Sequence, residues 1–137
     1  MHQELSEQVR GLRILLVDDN LLNREIATTL LEDAGFVVEQ AVDGKDAIEH
    51  LSNAEPGYYQ LVLMDIQMPV MNGYEAAAIV RSMDDPVISH IPILAVTADA
   101  FEEDRQKAID CGMDGHIAKP IEIDGLLAAL EGVLLPA

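Results

Sequence analysis

Asp18 and Asp19, Asp65, Thr97 and Lys119 each stand at the end of a short apolar run, in "ILLVDDN", "LVLMDIQMP", "PILAVTA" and "HIAKP". Three carboxylates, a hydroxyl and an ammonium are a set that can hold a divalent cation and handle a phosphoryl group. Carboxylates crowded together repel one another unless a cation is shared among them. The available ligands are hard oxygens with no Cys or His cluster nearby in sequence, so the cation that fits is Mg²⁺, or Mn²⁺ in its place. Two carboxylates, a backbone carbonyl, a phosphoryl oxygen and waters would complete an octahedron. Metal and ammonium together neutralise charge on transferred phosphoryl oxygens, which makes a carboxylate useful as a nucleophile toward phosphorus. Lys119 supplies the ammonium, Thr97 can donate to an acylphosphate oxygen, and small Ala98 leaves room for the new group. Taken singly, each residue has an ordinary explanation: Asp19 or Asn20 as a helix cap, Asp65 as a turn residue, Thr97 as a β-branched strand residue, Lys119 as a surface lysine. Their convergence is what the elements must explain.

The apolar runs read as strands: "RILLV" (13–17), "FVVEQA" (36–41), "QLVLM" (60–64), "PILAVT" (92–97) and "GHIA" (115–118). Leu61 to Met64 lack alternation, as expected of a strand covered on both faces. Asp65 then leads into a Met-Pro and an Asn-Gly turn. Between the strands lie stretches of helical period. "NREIATTLLEDAG" carries Leu22, Ile26 and Leu30 on one face and stops at Gly35, a residue suited to a left-handed cap. "GKDAIEHLSN", "GYEAAAIVRSM", "FEEDRQKAIDCG" and "EIDGLLAALEGVLL" follow the same logic. Alternating strands and helices predict an α/β fold, a parallel sheet with helices on both faces. In such sheets the functional crevice lies beyond the carboxyl ends of the strands, where the five polar residues fall. Residues 1–10 read as a polar lead-in or linker and 11–137 as one domain.

Bulk properties remove other classes. Half of the 137 residues are hydrophobic, enough for one core; a chain this size buries roughly two thirds of its unfolded surface. No run approaches the ~18 apolar residues of a membrane span, and "MHQELSEQVR" lacks the apolar stretch of a secretion signal. The net charge of −17, from 25 acidic against 8 basic residues, repels phosphate backbones and anionic lipid, so neither nucleic acid nor membrane is expected as a partner of this segment. Glu102, Glu103 and Asp104 read as a solvated helix face. Cys111 stands alone, which rules out an internal disulfide and fits a reducing compartment; its expected place is half-buried. His2, His50 and His90 are expected at the surface without partners. Met64, Met68, Met71, Met83 and Met113 read as packing, with Met68 and Met71 near the site rim.

"ILLVDDN", "LVLMDIQMPVMNGYEA", "PILAVTA" and "IAKPI", in this order and spacing, resemble the response-regulator receiver domain of two-component signalling over residues 12 to about 135. The resemblance implies a flavodoxin-like (βα)5 fold, a five-stranded parallel sheet of order 2-1-3-4-5 flanked by five helices. It implies Asp65 as phosphoacceptor, Asp18 and Asp19 as the acid pair holding Mg²⁺, the carbonyl of Gln67 as a further ligand, Thr97 as the switch hydroxyl and Lys119 as the phosphate's cationic partner. "CGMDGHIAKPI" most resembles receivers fused to hybrid sensor histidine kinases; stand-alone receivers can share it. The implied partners are a histidine kinase, a histidine phosphotransfer protein or both, in a phosphorelay; weak self-association stays open. The implied place is the cytoplasm, with a parent that can be membrane-anchored. The segment itself is expected to be no enzyme beyond catalysing its own phosphorylation and dephosphorylation, although a longer parent could be a histidine kinase. One departure stands out: three residues before Lys119 many receivers carry Tyr or Phe as a switch residue, and this chain has His116.

Two other classes fit less well. An aspartate-nucleophile phosphohydrolase needs a second Asp two residues after the nucleophile, where this chain has Gln67. A flavin or nucleotide carrier would place a Gly- or Ser/Thr-rich loop after the first strand to cradle phosphate, where this chain has Asp18 and Asp19. A receiver that only mediates contacts would not need the complete set of site residues.

Overall fold

The computed structural model describes residues 11–66, 71–97, 106–107, 109–118 and 121–133. Its elements are β1 (Arg13–Val17), α1 (Leu21–Asp33), β2 (Val37–Ala41), α2 (Gly44–Asn53), β3 (Leu61–Asp65), α3 (Gly73–Arg81), α4 (Pro86–Ser89), β4 (Ile93–Thr97), β5 (Gly115–Ala118) and α5 (Ile123–Val133). Residues 106–107 and 109–110 are helical as well. All strand pairs are parallel and the sheet order is β2-β1-β3-β4-β5. The expected flavodoxin-like order therefore holds.

Side chains of each central strand alternate between two cores, which is why no polar alternation is seen in the sequence. Ile14 and Leu16 of β1 join Leu61, Leu63, Leu94 and Val96 under Ala27, Leu31 and Leu126. Leu15 and Val17 join Val62, Met64, Ile93 and Ala95 under Ala47, Leu51, Ala77 and Val80. Small residues on α2 and α3 let those helices sit close to the sheet: Ala47, Ala76 and Ala77 are each fully buried. Met64 and Met113 are buried, and Met71, Met83 and Cys111 pack half-buried against this second core, as expected. Met68 lies outside the described residues.

Register aligns the strand ends. Val17 lies opposite both Ala41 and Met64, Asp65 opposite Val96, and Thr97 opposite Ala118. The last residues of β1, β3, β4 and β5 thus reach one rim together.

Several local expectations need correction. The strands β2, β3 and β4 each start one residue later than the sequence suggests, and Asp65 closes β3 instead of following it. Helix α1 does not bury Leu22 and Ile26, which are 64% and 59% exposed; its inward face is Arg24, Ala27 and Leu31. Asn72-Gly73 is a helix start, not a free turn: the Asn72 side chain accepts from the Glu75 amide and the Glu75 side chain from the Asn72 amide, a reciprocal box that satisfies two first-turn donors. The unanticipated helix α4 is started by Asp85, whose carboxylate accepts from the amides of Val87 and Ile88, with Pro86 at its first position.

Arg81, at the end of α3, ties the far side of the sheet together. Its guanidinium donates to the carbonyls of Gly112 (2.8 Å), Ser89 (2.9 Å) and Ile91 (2.7 Å) and pairs with Asp114 at 2.9 Å. Asp114 in turn accepts from the Ile93 amide at 2.8 Å, so one fork fixes the starts of β4 and β5 against α3.

Candidate functional site

Asp18 follows β1 directly. Its amide donates to the Ala41 carbonyl at 3.2 Å, which prolongs the β1–β2 pairing by one bond. Its side chain, 6% exposed, accepts from the Asn20 amide at 2.9 Å. Asn20 caps α1 by accepting from Asn23 at 2.9 Å, so Asn20 and not Asp19 is the cap. Asp19 is left exposed between them.

Asp65 is 3% exposed. Immediately after it the Ile66 amide donates to Val96 at 3.2 Å and the Gly73 amide to Ile66 at 3.0 Å, which brings the start of α3 back against the acid. Gly73 is required by that approach. A methyl group placed on it would overlap the Asp65 carbonyl oxygen and come within 3.0 Å of Met64 Cγ. Gly73→Ala is therefore expected to displace the Asp65 backbone and to slow phosphoryl acceptance at least tenfold, at a stability cost of about 1–3 kcal/mol. Acylation rate and urea midpoint measured side by side check this; an unchanged rate means that the close approach does not matter to the acid.

One carboxylate oxygen from each of Asp18, Asp19 and Asp65 lies within 4.8 Å of the other two. Oxygens bound to one Mg²⁺ at ~2.1 Å are at most ~4.2 Å apart, so small side-chain rotations bring this trio onto a single ion. An all-oxygen donor set suits Mg²⁺ or Mn²⁺ and gives softer metals no thiolate or imidazole. Thr97 closes β4 on the same rim, opposite Ala118.

Of the remaining expected site residues, His116 is half-buried in β5 opposite Ala95. Gln67, Ala98 and Lys119 lie outside the described residues, as do His2 and Glu102 to Asp104; Lys119 follows Ala118, the last residue of β5. Asp18, Asp19, Asp65 and Thr97 are thus brought to one rim by the described structure.

Arg24 was not singled out as part of this neighbourhood. It is 8% exposed and donates to the Asp18 carbonyl at 2.8 Å. An arginine one helical turn past a cap reads in sequence as a solvated cation, and its acceptors come from another strand and from the backbone.

His50 and His90 were expected to have no partner, and the structure corrects this: His50 Nε2 lies 3.6 Å from Asp46 and its Nδ1 3.4 Å from the Tyr59 hydroxyl, and His90 Nδ1 lies 2.8 Å from the Pro86 carbonyl. Tyr58 and Tyr59 both donate to Glu39, which also pairs with Arg13 at 3.3 Å. Burial alone would raise the Glu39 pKa, but the two hydroxyls and the charges of Arg13 and His50 outweigh it and hold the carboxyl below its ordinary value. Burial first, then the bond to Glu39, pushes the Tyr59 hydroxyl well above its ordinary range. Arg13 begins β1 and Asp18 follows its end, so this cluster belongs to the β1–β2 edge and not to the acid rim.

Residues 14–131 match the response regulator receiver domain family. The chain is 42% identical over 134 residues to probable histidine kinase 2 of Oryza sativa subsp. indica, covering 90% of this chain and 13% of that protein. It is 40% identical over 111 residues to hybrid signal transduction histidine kinase I of Dictyostelium discoideum, covering 80% of this chain and 6% of that protein. The chain thus spans a small part of the relatives it matches. Among solved structures it is similar to the receiver domain of a sensor histidine kinase from Pseudomonas aeruginosa, described with a magnesium ion coordinated in its active-site cleft: TM-score 0.77, 32% identity, 89% of this chain and 96% of that one. It is also similar to the receiver domain of the Saccharomyces cerevisiae response regulator Ssk1, solved with the histidine phosphotransfer signalling protein Ypd1: TM-score 0.78, 25% identity, 89% of this chain and 88% of that one. Among the described residues no helix is long and apolar enough to cross a membrane.

Proposed function

The chain belongs to the response-regulator receiver domain family, and from that membership we infer that it is a phosphorelay receiver in which Asp65 takes a phosphoryl group from a phosphohistidine donor. The observation that carries this reading is the acid trio at the strand ends, each acid offering one oxygen within 4.8 Å of the other two. We take residues 11–137 as the receiver and 1–10 as its lead-in.

Asp18 and Asp19 would hold Mg²⁺ or Mn²⁺, with Asp65 and the Gln67 carbonyl completing the protein ligands. When bound, the metal neutralises charge on the transferred oxygens, which a cluster of three carboxylates otherwise opposes. A carboxylate oxygen of Asp65 attacks phosphorus; the bond to the donor's imidazole nitrogen breaks as the new O–P bond forms, and the electron pair leaves with the imidazole. Thr97 donates its hydroxyl to one phosphoryl oxygen and the Lys119 ammonium pairs with another. Burial of Asp65 limits the access of water to the resulting acylphosphate, while the exposed Asp19 side of the site leaves a path for the donor.

The segment itself turns over no external substrate in this reading: it catalyses its own phosphorylation and dephosphorylation. Gln67 in place of a second Asp disfavours a phosphohydrolase. The similarity to a receiver solved with a phosphotransfer protein supports a histidine phosphotransfer protein or a histidine kinase as partner, and the similarity to hybrid histidine kinases supports a hybrid-kinase parent over a stand-alone regulator. A cytoplasmic face follows from those partners.

The test is transfer itself. A phosphorylated histidine phosphotransfer protein, mixed with this chain, is expected to lose its label to it in the presence of Mg²⁺, and transfer should stop when a chelator is added. Transfer that is indifferent to chelator, or no acceptance from any phosphohistidine or acetyl phosphate donor, would contradict the reading.

A further inference from the structure

We propose that Arg24 is a positioning residue for the acid pair: through the Asp18 carbonyl its buried guanidinium sets the loop that carries Asp18 and Asp19. This rests on the proposed role of those acids in holding the metal.

Arg24 as a residue is only 8% exposed, and a buried guanidinium is costly to desolvate unless hydrogen bonds and nearby negative charge offset it. Among the described residues, its hydrogen bonds go to neutral acceptors. One of its terminal nitrogens donates to the Asp18 carbonyl at 2.8 Å, and its Nε donates to Gln40 Oε1 at 3.1 Å. Gln40 is itself oriented by donating to the Thr28 hydroxyl at 2.9 Å. The planar fork is therefore braced from β2 and from the next turn of its own helix, and it delivers one bond to the loop.

That bond completes the definition of the Asp18 peptide. On one side the Asp18 amide is fixed to Ala41 of β2 at 3.2 Å, and the Arg24 amide is fixed to the Asn20 carbonyl at 3.0 Å. On the other side the Asp18 carboxylate is fixed to the Asn20 amide at 2.9 Å. With the carbonyl also held, rotation of the peptide joining Asp18 to Asp19 is restrained, which keeps both acids within reach of Asp65. A lysine at this position would keep the positive charge but lacks the fork, so it cannot hold Gln40 and the Asp18 carbonyl at once.

Charge and geometry predict opposite results, which makes the proposal testable. As a mere nearby cation, Arg24 would oppose metal binding. Arg24→Lys would then leave Mg²⁺ affinity unchanged, and Arg24→Gln would tighten it. As a positioning residue it favours binding, and both variants are expected to weaken Mg²⁺ affinity about tenfold. The experiment titrates Mg²⁺ alone into wild type, Arg24→Lys, Arg24→Gln and Asp19→Asn, following backbone amide NMR shifts at a temperature where each is folded. Before metal is added, the Asn20 amide resonance should also move in both Arg24 variants, while resonances of β3 and β4 stay in place. A role limited to stability would lower the melting temperature and move neither the Asn20 resonance nor the affinity. Wild-type affinity in Arg24→Lys overturns the proposal. Should that variant fail to fold, Gln40→Ala decides in its place: it removes the brace on Nε, a weakened Mg²⁺ affinity supports the proposal, and an unchanged one overturns it. Unchanged affinity in Asp19→Asn would instead sink the reading of the acid pair, and the role of Arg24 with it.

Discussion

Asp65→Asn is expected to abolish phosphoryl acceptance completely while leaving the fold intact. The side chain is 3% exposed at the end of β3, so an isosteric replacement changes neither volume nor burial. What it removes is the anionic oxygen that attacks phosphorus; the amide oxygen that replaces it is a far weaker nucleophile. It also removes one of three carboxylates that each place one oxygen within 4.8 Å of the other two. Relief of that repulsion means that the melting temperature in metal-free buffer should be unchanged or higher. Intact-mass measurement after incubation with acetyl phosphate and Mg²⁺, alongside a thermal melt, checks both halves. A variant that still gains a phosphoryl group has its acceptor elsewhere.

Asp19→Asn should lower Mg²⁺ affinity by at least tenfold, which is about 1.4 kcal/mol or more of binding free energy. Asp19 is exposed, so its replacement costs little packing and the effect reads out the lost ligand charge. In metal-free buffer the same variant is expected to be as stable as wild type or more so, because a like charge has left the cluster. The two effects have opposite signs, and general damage to the fold could not produce both. Calorimetric titration with Mg²⁺ and a thermal melt without it provide the comparison. Equal Mg²⁺ affinity in wild type, Asp18→Asn and Asp19→Asn would mean that the acid pair holds no metal.

The rim was legible because its residues break a rule that the rest of the chain keeps. A run such as Leu61 to Met64 is apolar for burial on both faces, and a carboxylate at its end is conspicuous. Parallel topology then brings such ends together: β1, β3, β4 and β5 finish in register. Other features were hidden for physical reasons. The inward face of α1 was misread because Leu22 and Ile26 outweigh Ala27 in hydropathy, although it is Arg24, Ala27 and Leu31 that face the sheet. Arg24 looks like any surface arginine, since its burial depends on Gln40 from β2 and on a backbone carbonyl, neither of which has a local signature. Asn72-Gly73 has the composition of a turn, yet the box formed with Glu75 starts a helix there. The need for glycine at Gly73 comes from Asp65, eight residues earlier, and so has no local cue.

The most direct test of the central claim is to locate the modified residue in the wild-type chain. After phosphorylation by acetyl phosphate or a phosphohistidine donor with Mg²⁺ present, the protein should carry one phosphoryl group that survives acid, is released by hydroxylamine and maps by peptide mass spectrometry to Asp65. An acid-labile label on a histidine, or an acylphosphate on Asp18, Asp19 or any other carboxylate, would contradict the account.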